Sequence, residues 1–262
     1  MSAATTQLRI DRLSVSLAGR AIIEDVSVSL DGGQFVAVIG PNGSGKTTFL
    51  RALAGQMTIT GTIAINGTTI ERLSLPQKAK ALSYLPQDMR QPIWPVPVRD
   101  IVALGLMPFD AQAAGDDPAV ERQLQDFDLV ALAERGVDRI SGGERMRALL
   151  ARAMVGPQPI VLLDEPLNSL DPAHQLRVMA LFRQRAESGA LVIAVIHDID
   201  FAVRYATRLL AFKDGRLVAD GPPQDLLKTD QLSDIFGVAV AQVQTLDGPI
   251  LAMRPHRDLD RG

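Results

Sequence analysis

One octapeptide, Gly40-Pro41-Asn42-Gly43-Ser44-Gly45-Lys46-Thr47, constrains the fold of this chain more than any other stretch. It fits G-x-x-x-x-G-K-[ST], a loop that works only where a strand ends and a helix begins. An apolar strand over 34–39 precedes it and a helix over 46–54 follows, so the context is right. Gly43 and Gly45 let successive backbone N–H groups turn inward around phosphate oxygens, and the helix N-terminus adds partial positive charge. Gly40 to Thr47, with Thr48 next in the helix, are the expected phosphate-binding residues. Lys46 is expected at the β- and γ-phosphates, and the Thr47 hydroxyl at a Mg²⁺ position. A chance glycine-rich turn would match the pattern in about one chain per hundred of this length, and the flanking strand and helix make that far rarer. The loop alone does not say which kind of nucleotide-binding protein carries it.

Such a loop sits at the edge of a buried sheet, and the composition suits one. Of the 262 residues 47% are hydrophobic but only 4% aromatic, so the core must be mostly Val, Ile, Leu and Ala. That is the make-up of buried parallel strands packed by helices. Two short strands are expected over 8–30 around a turn at Gly19, with others over 62–66, 81–85, 160–163 and 191–196. A hairpin over 209–212 and 216–219 turns at Asp214-Gly215, and two last strands cover 238–243 and 250–253. Helices are expected over 98–106, 118–126, 142–155, 172–187 and 200–207. The proline-rich 88–97 reads as a loop, 110–117 as a surface linker and 254–262 as a polar tail. Strands alternating with helices call for an α/β fold with a parallel sheet covered on both faces.

The length suits one large domain or a core with a small subdomain. A net charge of −3 and a pI near 5.6 argue weakly against a nucleic-acid partner, which usually shows as a basic domain or stripe. There is no cysteine, which excludes disulfides and thiolate metal sites. The first nine residues hold no apolar signal core, and the longest apolar runs, 101–107 and 191–196, are far shorter than the roughly 18 residues of a membrane span. The chain is therefore expected to be soluble, with any membrane anchor supplied by another polypeptide.

Two acids close the apolar run Val161-Leu162-Leu163-Asp164-Glu165. Asp164 is the expected outer ligand of Mg²⁺, and Glu165, one residue on, stands where it could polarise an attacking water. An ordinary acidic strand-to-loop turn is the plain alternative, and the phosphate loop weighs against it. His197 ends the strand over 191–196, at the edge where parallel sheets bind ligands. It could hydrogen-bond a γ-phosphate and the water; alone, a capped surface histidine would explain it as well.

Ile140-Ser141-Gly142-Gly143-Glu144-Arg145 opens the helix over 142–155. A Ser-Gly-Gly at a helix N-terminus is a second phosphate-binding end, which points to a second nucleotide. The segment resembles the signature of the ABC ATPases, usually written LSGGE. The other family elements follow in order. Gln87, after Tyr84-Leu85-Pro86, resembles the Q-loop glutamine, Ser169-Leu170-Asp171 the D-loop, and His197 the switch histidine. The resemblance implies a single ABC ATPase domain with a RecA-like P-loop core. An antiparallel β layer and the core would cover about 1–87 and 157–262, and an α-helical signature subdomain about 88–156. It implies ATP and Mg²⁺ as ligands, with Thr47, Gln87 and Asp164 at the metal. Glu165 would be the general base, His197 would hold the γ-phosphate, and Lys46 and Gln87 would complete the catalytic set. Two copies would sandwich two ATP molecules head to tail, with Ser141, Gly142, Gly143 and Asp171 of one serving the nucleotide of the other. There are two departures. Ile140 replaces leucine at an apolar position, and Leu17 stands where the family usually stacks an aromatic ring on adenine. The second predicts weak discrimination between ATP and GTP.

Val98-Arg99-Asp100-Ile101-Val102-Ala103-Leu104-Gly105, the stretch Pro166-Leu167-Asn168-Ser169-Leu170-Asp171 and Phe236-Gly237-Val238 resemble the ATPases of bacterial importers for iron–siderophore, haem and vitamin B12. Zinc/manganese importers are the nearest rival. This resemblance implies a separate integral-membrane permease, an external substrate-binding protein and a place on the cytoplasmic face of the membrane. Trp94 falls where such chains meet the permease, and anchoring of its own loop explains it equally well. Arg145, Arg147 and Arg152 read as solvated or paired within the chain. A non-transport ABC ATPase would usually carry a coiled-coil insert or a second half. A P-loop GTPase would need an N/T-K-x-D motif, and a P-loop kinase or GTPase would leave Ser141-Gly142-Gly143 unexplained. Cargo is chosen by the membrane channel and binding protein, so these residues do not name it.

Overall fold

The computed structural model describes residues 6–87, 95–110, 115–227, 231–245 and 248–255. It opens on a hairpin of β1 (Gln7–Leu17) and β2 (Arg20–Asp31), longer than the two short strands expected. The ladder shifts register three times. Ile10 pairs with Val28 but Leu13 with Val26, so two residues of β1 oppose one of β2; Val15 then pairs with Ile23, so β2 returns the extra residue; and Ser16 pairs with Ala21, which leaves Ile22 as a further extra residue of β2. The Arg12 N–H donates to Ser27 Oγ and the Asp25 N–H to Ser14 Oγ, so each of the first two irregularities finds a serine across the ladder. The bulges shift the phase by one, so Leu8, Ile10, Leu13 and Val15 all reach the core.

Next come β3 (Phe35–Ile39), α1 (Lys46–Leu53), β4 (Thr60–Ile65), β5 (Thr68–Thr69), α2 (Leu75–Ala81) and β6 (Leu82–Leu85). A helical stretch follows, with α3 (Val98–Ala103), α4 (Pro118–Asp126) and α5 (Gly142–Met154). Then β7 (Ile160–Asp164), α6 (Pro172–Glu187), β8 (Leu191–Val195), α7 (Ile199–Tyr205), β9 (Arg208–Lys213) and β10 (Arg216–Gly221) complete the main sheet. Two short helices, α8 (Pro223–Leu227) and α9 (Gln231–Phe236), lead to a final hairpin, β11 (Val238–Thr245) and β12 (Gly248–Pro255). Sequence patterning missed α2, α8 and α9. For α2 the signal was present: Ser74 and Gln77 form a reciprocal capping box, with Pro76 in the first turn.

The six-stranded sheet runs β10-β9-β3-β8-β7-β6, parallel except for β10. β3, β7 and β8 are buried at every position, which explains their continuous apolar runs. Alternate residues serve two cores. Phe35, Ala37, Val161, Leu163, Val192 and Ala194 pack with helices α3 to α7, and Phe35 meets Phe182 edge-on at 5.9 Å. Val36, Val38, Leu162 and Ile193 pack with α1 and an antiparallel layer ordered β2-β1-β4-β5. One face thus carries helices and the other α1 with a β layer.

The topology gathers the loops that matter. β6, β7, β8 and β3 are adjacent and parallel, so their carboxyl ends share one edge. Gln87 follows β6, Asp164 and Glu165 end β7, His197 follows β8, and the glycine-rich loop follows β3. That edge is where open parallel sheets bind ligands. Among the described residues, no helix is long and apolar enough to cross a membrane.

Candidate active site

The edge encloses a cavity of about 710 Å³. The loop side contributes Asn42, Gly43, Gly45, Lys46, Thr47 and Thr48; the strand ends contribute Gln87, Glu165 and His197; the first hairpin contributes Leu17 and Ile22. Volume and composition suit a drug-sized polar ligand with an apolar portion. α1 starts at Gly45 with no side-chain cap among the described residues, so its first N–H groups are available to an anion.

Lys46 is buried and folds back on its own loop, donating to the Gly40 and Pro41 carbonyls at 2.8 Å each. Burial pulls its ammonium below the ordinary lysine range, against the opposing pull of Glu165 and Asp164. The Thr47 hydroxyl donates to Asp164 Oδ1 at 3.1 Å. Asp164 is 1% exposed, and its Oδ2 has no hydrogen-bond partner among the described residues. Burial, with Glu165 nearby, drives its carboxyl above the ordinary aspartate range, although the Thr47 hydroxyl, Arg51 and the Gln87 N–H pull it back. An open carboxylate oxygen beside a threonine hydroxyl is a donor set for a small hard cation, so these residues fit Mg²⁺. Ser44 Oγ, also buried and unpartnered among the described residues, leaves a second unused polar atom in the loop.

Glu165 sits just past β7 with a left-handed backbone, φ 54°. His197 Nε2 donates to its Oε1 at 2.6 Å, and Asn168 Nδ2 to its Oε2 at 2.6 Å. Burial pushes the carboxyl up, but the donors His197, Asn168 and Gln87 outweigh it and hold the group below the ordinary glutamate range. Glu165 is therefore an ionised, partly desolvated carboxylate on the cavity wall, as a general base must be.

The other expected ligand residues lie elsewhere. Ser141 caps α5 in a reciprocal capping box with Glu144. Ser141 and Gly142 are exposed, and neither they nor Gly143 line the cavity of their own chain. A methyl group on Gly143 would stand 2.8 Å from the Ser169 carbonyl, so this helix start packs tightly on the loop before α6. Asp171 caps α6 and pairs with His174 Nδ1 at 2.8 Å, away from the cavity. Ile140 is buried, so its apolar position accommodates the change from leucine. Arg147 is buried and donates to the Phe127 and Asp128 carbonyls and the Asp128 carboxylate. Arg152 is partly buried and desolvated, not a solvated charge. Trp94 lies outside the described residues.

Two contributors were missed in the sequence. Asn168 was legible as a turn partner, three residues after Glu165 across Pro166-Leu167, because such turns bring the fourth residue back over the first. Ile22 had no local signal; only the hairpin register brings it to the cavity.

Residues 23–168, more than half of the chain, match the protein family described as ABC transporter. The hemin import ATP-binding protein HmuV of Rhodococcus jostii (strain RHA1) is 36% identical over 255 residues, which is 96% of this chain and 87% of that protein. The cobalamin import ATP-binding protein BtuD of Halobacterium salinarum (strain ATCC 29341 / DSM 671 / R1) is 39% identical over 238 residues, 89% of this chain and 60% of that protein. Among solved structures, an inward-facing ABC transporter of proposed metal-chelate type superposes with a TM-score of 0.78 over 97% of this chain and 99% of that one. At 24% identity that likeness bears on the fold.

Proposed function

The chain belongs to the ABC transporter family as an ATP-binding subunit that hydrolyses ATP, and we propose that it energises uptake of a metal chelate through a separate membrane permease. The observation that carries the chemistry is one sheet edge holding the phosphate loop, the open Asp164 carboxylate and the paired Glu165 and His197.

The residues divide the work as follows. Backbone N–H groups from Gly40 to Thr48 bind the phosphates, and Lys46 leaves the Gly40 and Pro41 carbonyls for the β- and γ-oxygens. Thr47, Gln87 and Asp164 would hold Mg²⁺, which when bound would neutralise charge on the phosphate oxygens. Glu165 takes the proton of a water as its oxygen bonds to the γ-phosphorus and the bond to the β–γ bridging oxygen breaks. His197 orients Glu165 and meets the γ-phosphate. Leu17 and Ile22 cover the base with aliphatic surface.

Ser141, Gly142, Gly143 and Asp171 serve a second copy of the chain in a head-to-tail pair. This accounts for an exposed helix end of phosphate-binding type that does not line the phosphate-loop cavity of its own chain. The stretch 88–156 acts as the signature-bearing subdomain and docks on the permease at the cytoplasmic face of the membrane, with an external binding protein delivering cargo. Import of haem, iron–siderophore or vitamin B12 is favoured over zinc or manganese by the relatives named for hemin and cobalamin import.

Growth of a deletion strain on ferric siderophore, on haem, or on vitamin B12 tests this. Each culture is complemented with wild type, Lys46→Ala or Glu165→Gln. A defect on one nutrient, rescued only by wild type, supports the proposal and names the cargo. No defect on any of them overturns metal-chelate uptake.

A further inference from the structure

Glu165 is held by a turn that its own chain closes. The Asn168 N–H donates to the Glu165 carbonyl at 3.3 Å across Pro166 and Leu167. The left-handed backbone at Glu165 is disfavoured for a residue with a Cβ and persists only where its surroundings demand it. Here the turn returns the Asn168 amide to the carboxylate, Nδ2 to Oε2 at 2.6 Å, while His197 takes Oε1.

The terminal torsion of a glutamate is broad. Without a donor on Oε2, the carboxylate could swing about its Oε1 contact. Asn168 on Oε2 fixes its plane, and with His197, Asn168 and Gln87 donating, one of the roughly four lone-pair directions stays open. Asn168 does this without lining the nucleotide cavity. It borders a separate cavity of about 110 Å³, shared with Glu165, Gln175, His197 and Asp198.

We propose that Asn168 is a positioning residue for hydrolysis, fixing the plane of the Glu165 carboxylate so that a free lone pair addresses the water in the nucleotide cavity. This rests on Glu165 being the general base.

The test is steady-state ATPase of the full chain at one neutral pH, comparing wild type, Asn168→Ala, Asn168→Ser, Asn168→Asp and Glu165→Gln. Asn168→Ala should lower kcat by about tenfold to a hundredfold with KM for ATP within about twofold. Asn168→Ser should recover part of kcat because its hydroxyl can donate, and Asn168→Asp should fall lowest because it sets a second carboxylate against Glu165. Asn168 is exposed, so thermal melts should stay near the parent and separate these effects from misfolding. Unchanged kcat in Asn168→Ala, with Glu165→Gln inactive, overturns the positioning role alone. Equal losses in the Ala and Ser variants with KM rising in step also overturn it. Retained activity in Glu165→Gln overturns the base assignment and this proposal with it.

Discussion

Substituting Gly40 and Gly43 separately should split the stability of the phosphate loop from its affinity. Gly40 is buried at φ 143°, and a Cβ there would overlap the Phe212 carbonyl oxygen and stand 3.0 Å from its carbon and from Ser44 Oγ. Phe212 is a fully buried residue of β9, paired to the central sheet, so its backbone has little room to yield. Forced overpacking of this kind costs about 1–3 kcal/mol, and the unfavourable backbone region adds about 1–2 kcal/mol. Gly40→Ala should therefore lose ~4 kcal/mol. Unfolding entropy is about 2.1 cal/mol/K per residue, or ~0.55 kcal/mol/K for a chain of this length, so Tm should fall by ~7 °C. Gly43 has φ 79°, and a Cβ there meets nothing within 4 Å among the described residues. Gly43→Ala should cost only about 1–2 kcal/mol, a fall of ~2–4 °C. Gly43 does line the cavity, however, so its variant should lose at least about tenfold in affinity for a fluorescent ATP analogue. Thermal unfolding without nucleotide, followed by equilibrium titration, reads both quantities. Equal falls in Tm for the two variants, or a Gly40→Ala melt within ~2 °C of the parent, would refute the steric reasoning.

Three further perturbations test other parts of the site and core. The folded chain holds the Asp164 proton more readily than the unfolded chain, so the contribution of this group to stability falls as pH rises through its folded-state value. Asp164→Asn should keep or raise Tm at pH 7–8, flatten that pH dependence, and abolish the extra Tm gained from Mg²⁺ with ATP; a fall beyond ~3 °C without ligand would contradict this. With Leu17 and Ile22 as an aliphatic wall, the parent should hydrolyse ATP and GTP within about threefold of each other, and Leu17→Trp should tighten ATP by about 2–10-fold; strict ATP preference in the parent would sink this reading. Arg147→Leu strands the Phe127 and Asp128 carbonyls and should cost ~2–4 kcal/mol, seen as a Tm lower by ~4–7 °C; a shift under ~2 °C would mean that the carbonyls find other donors.

Local chemistry was legible in the sequence wherever contiguous residues carried it. The phosphate loop, the acids ending β7, the Asp214-Gly215 hairpin and the α5 helix start all state their geometry within a few positions. Their spacings match a turn, a strand or a helix whatever surrounds them. Even α2, overlooked by apolar periodicity, announces itself in Ser74 and Gln77. Tertiary structure decided what depends on partners far apart in the chain. β3 lies between β8 and β9, which brings a loop near residue 40 beside acids near 165 and a histidine at 197. The register shifts choose which face of β1 and β2 is buried, and the hairpin register, with its last shift at Ile22, sets Leu17 and Ile22 on the cavity wall. The sequence placed Glu165 at a strand end, but its hydrogen bonds to Asn168 and His197 exist only once that strand has neighbours. Residue type and spacing specify a local conformation; which buried groups meet is decided by the packing of the sheet, because no single segment can satisfy their hydrogen bonds by itself.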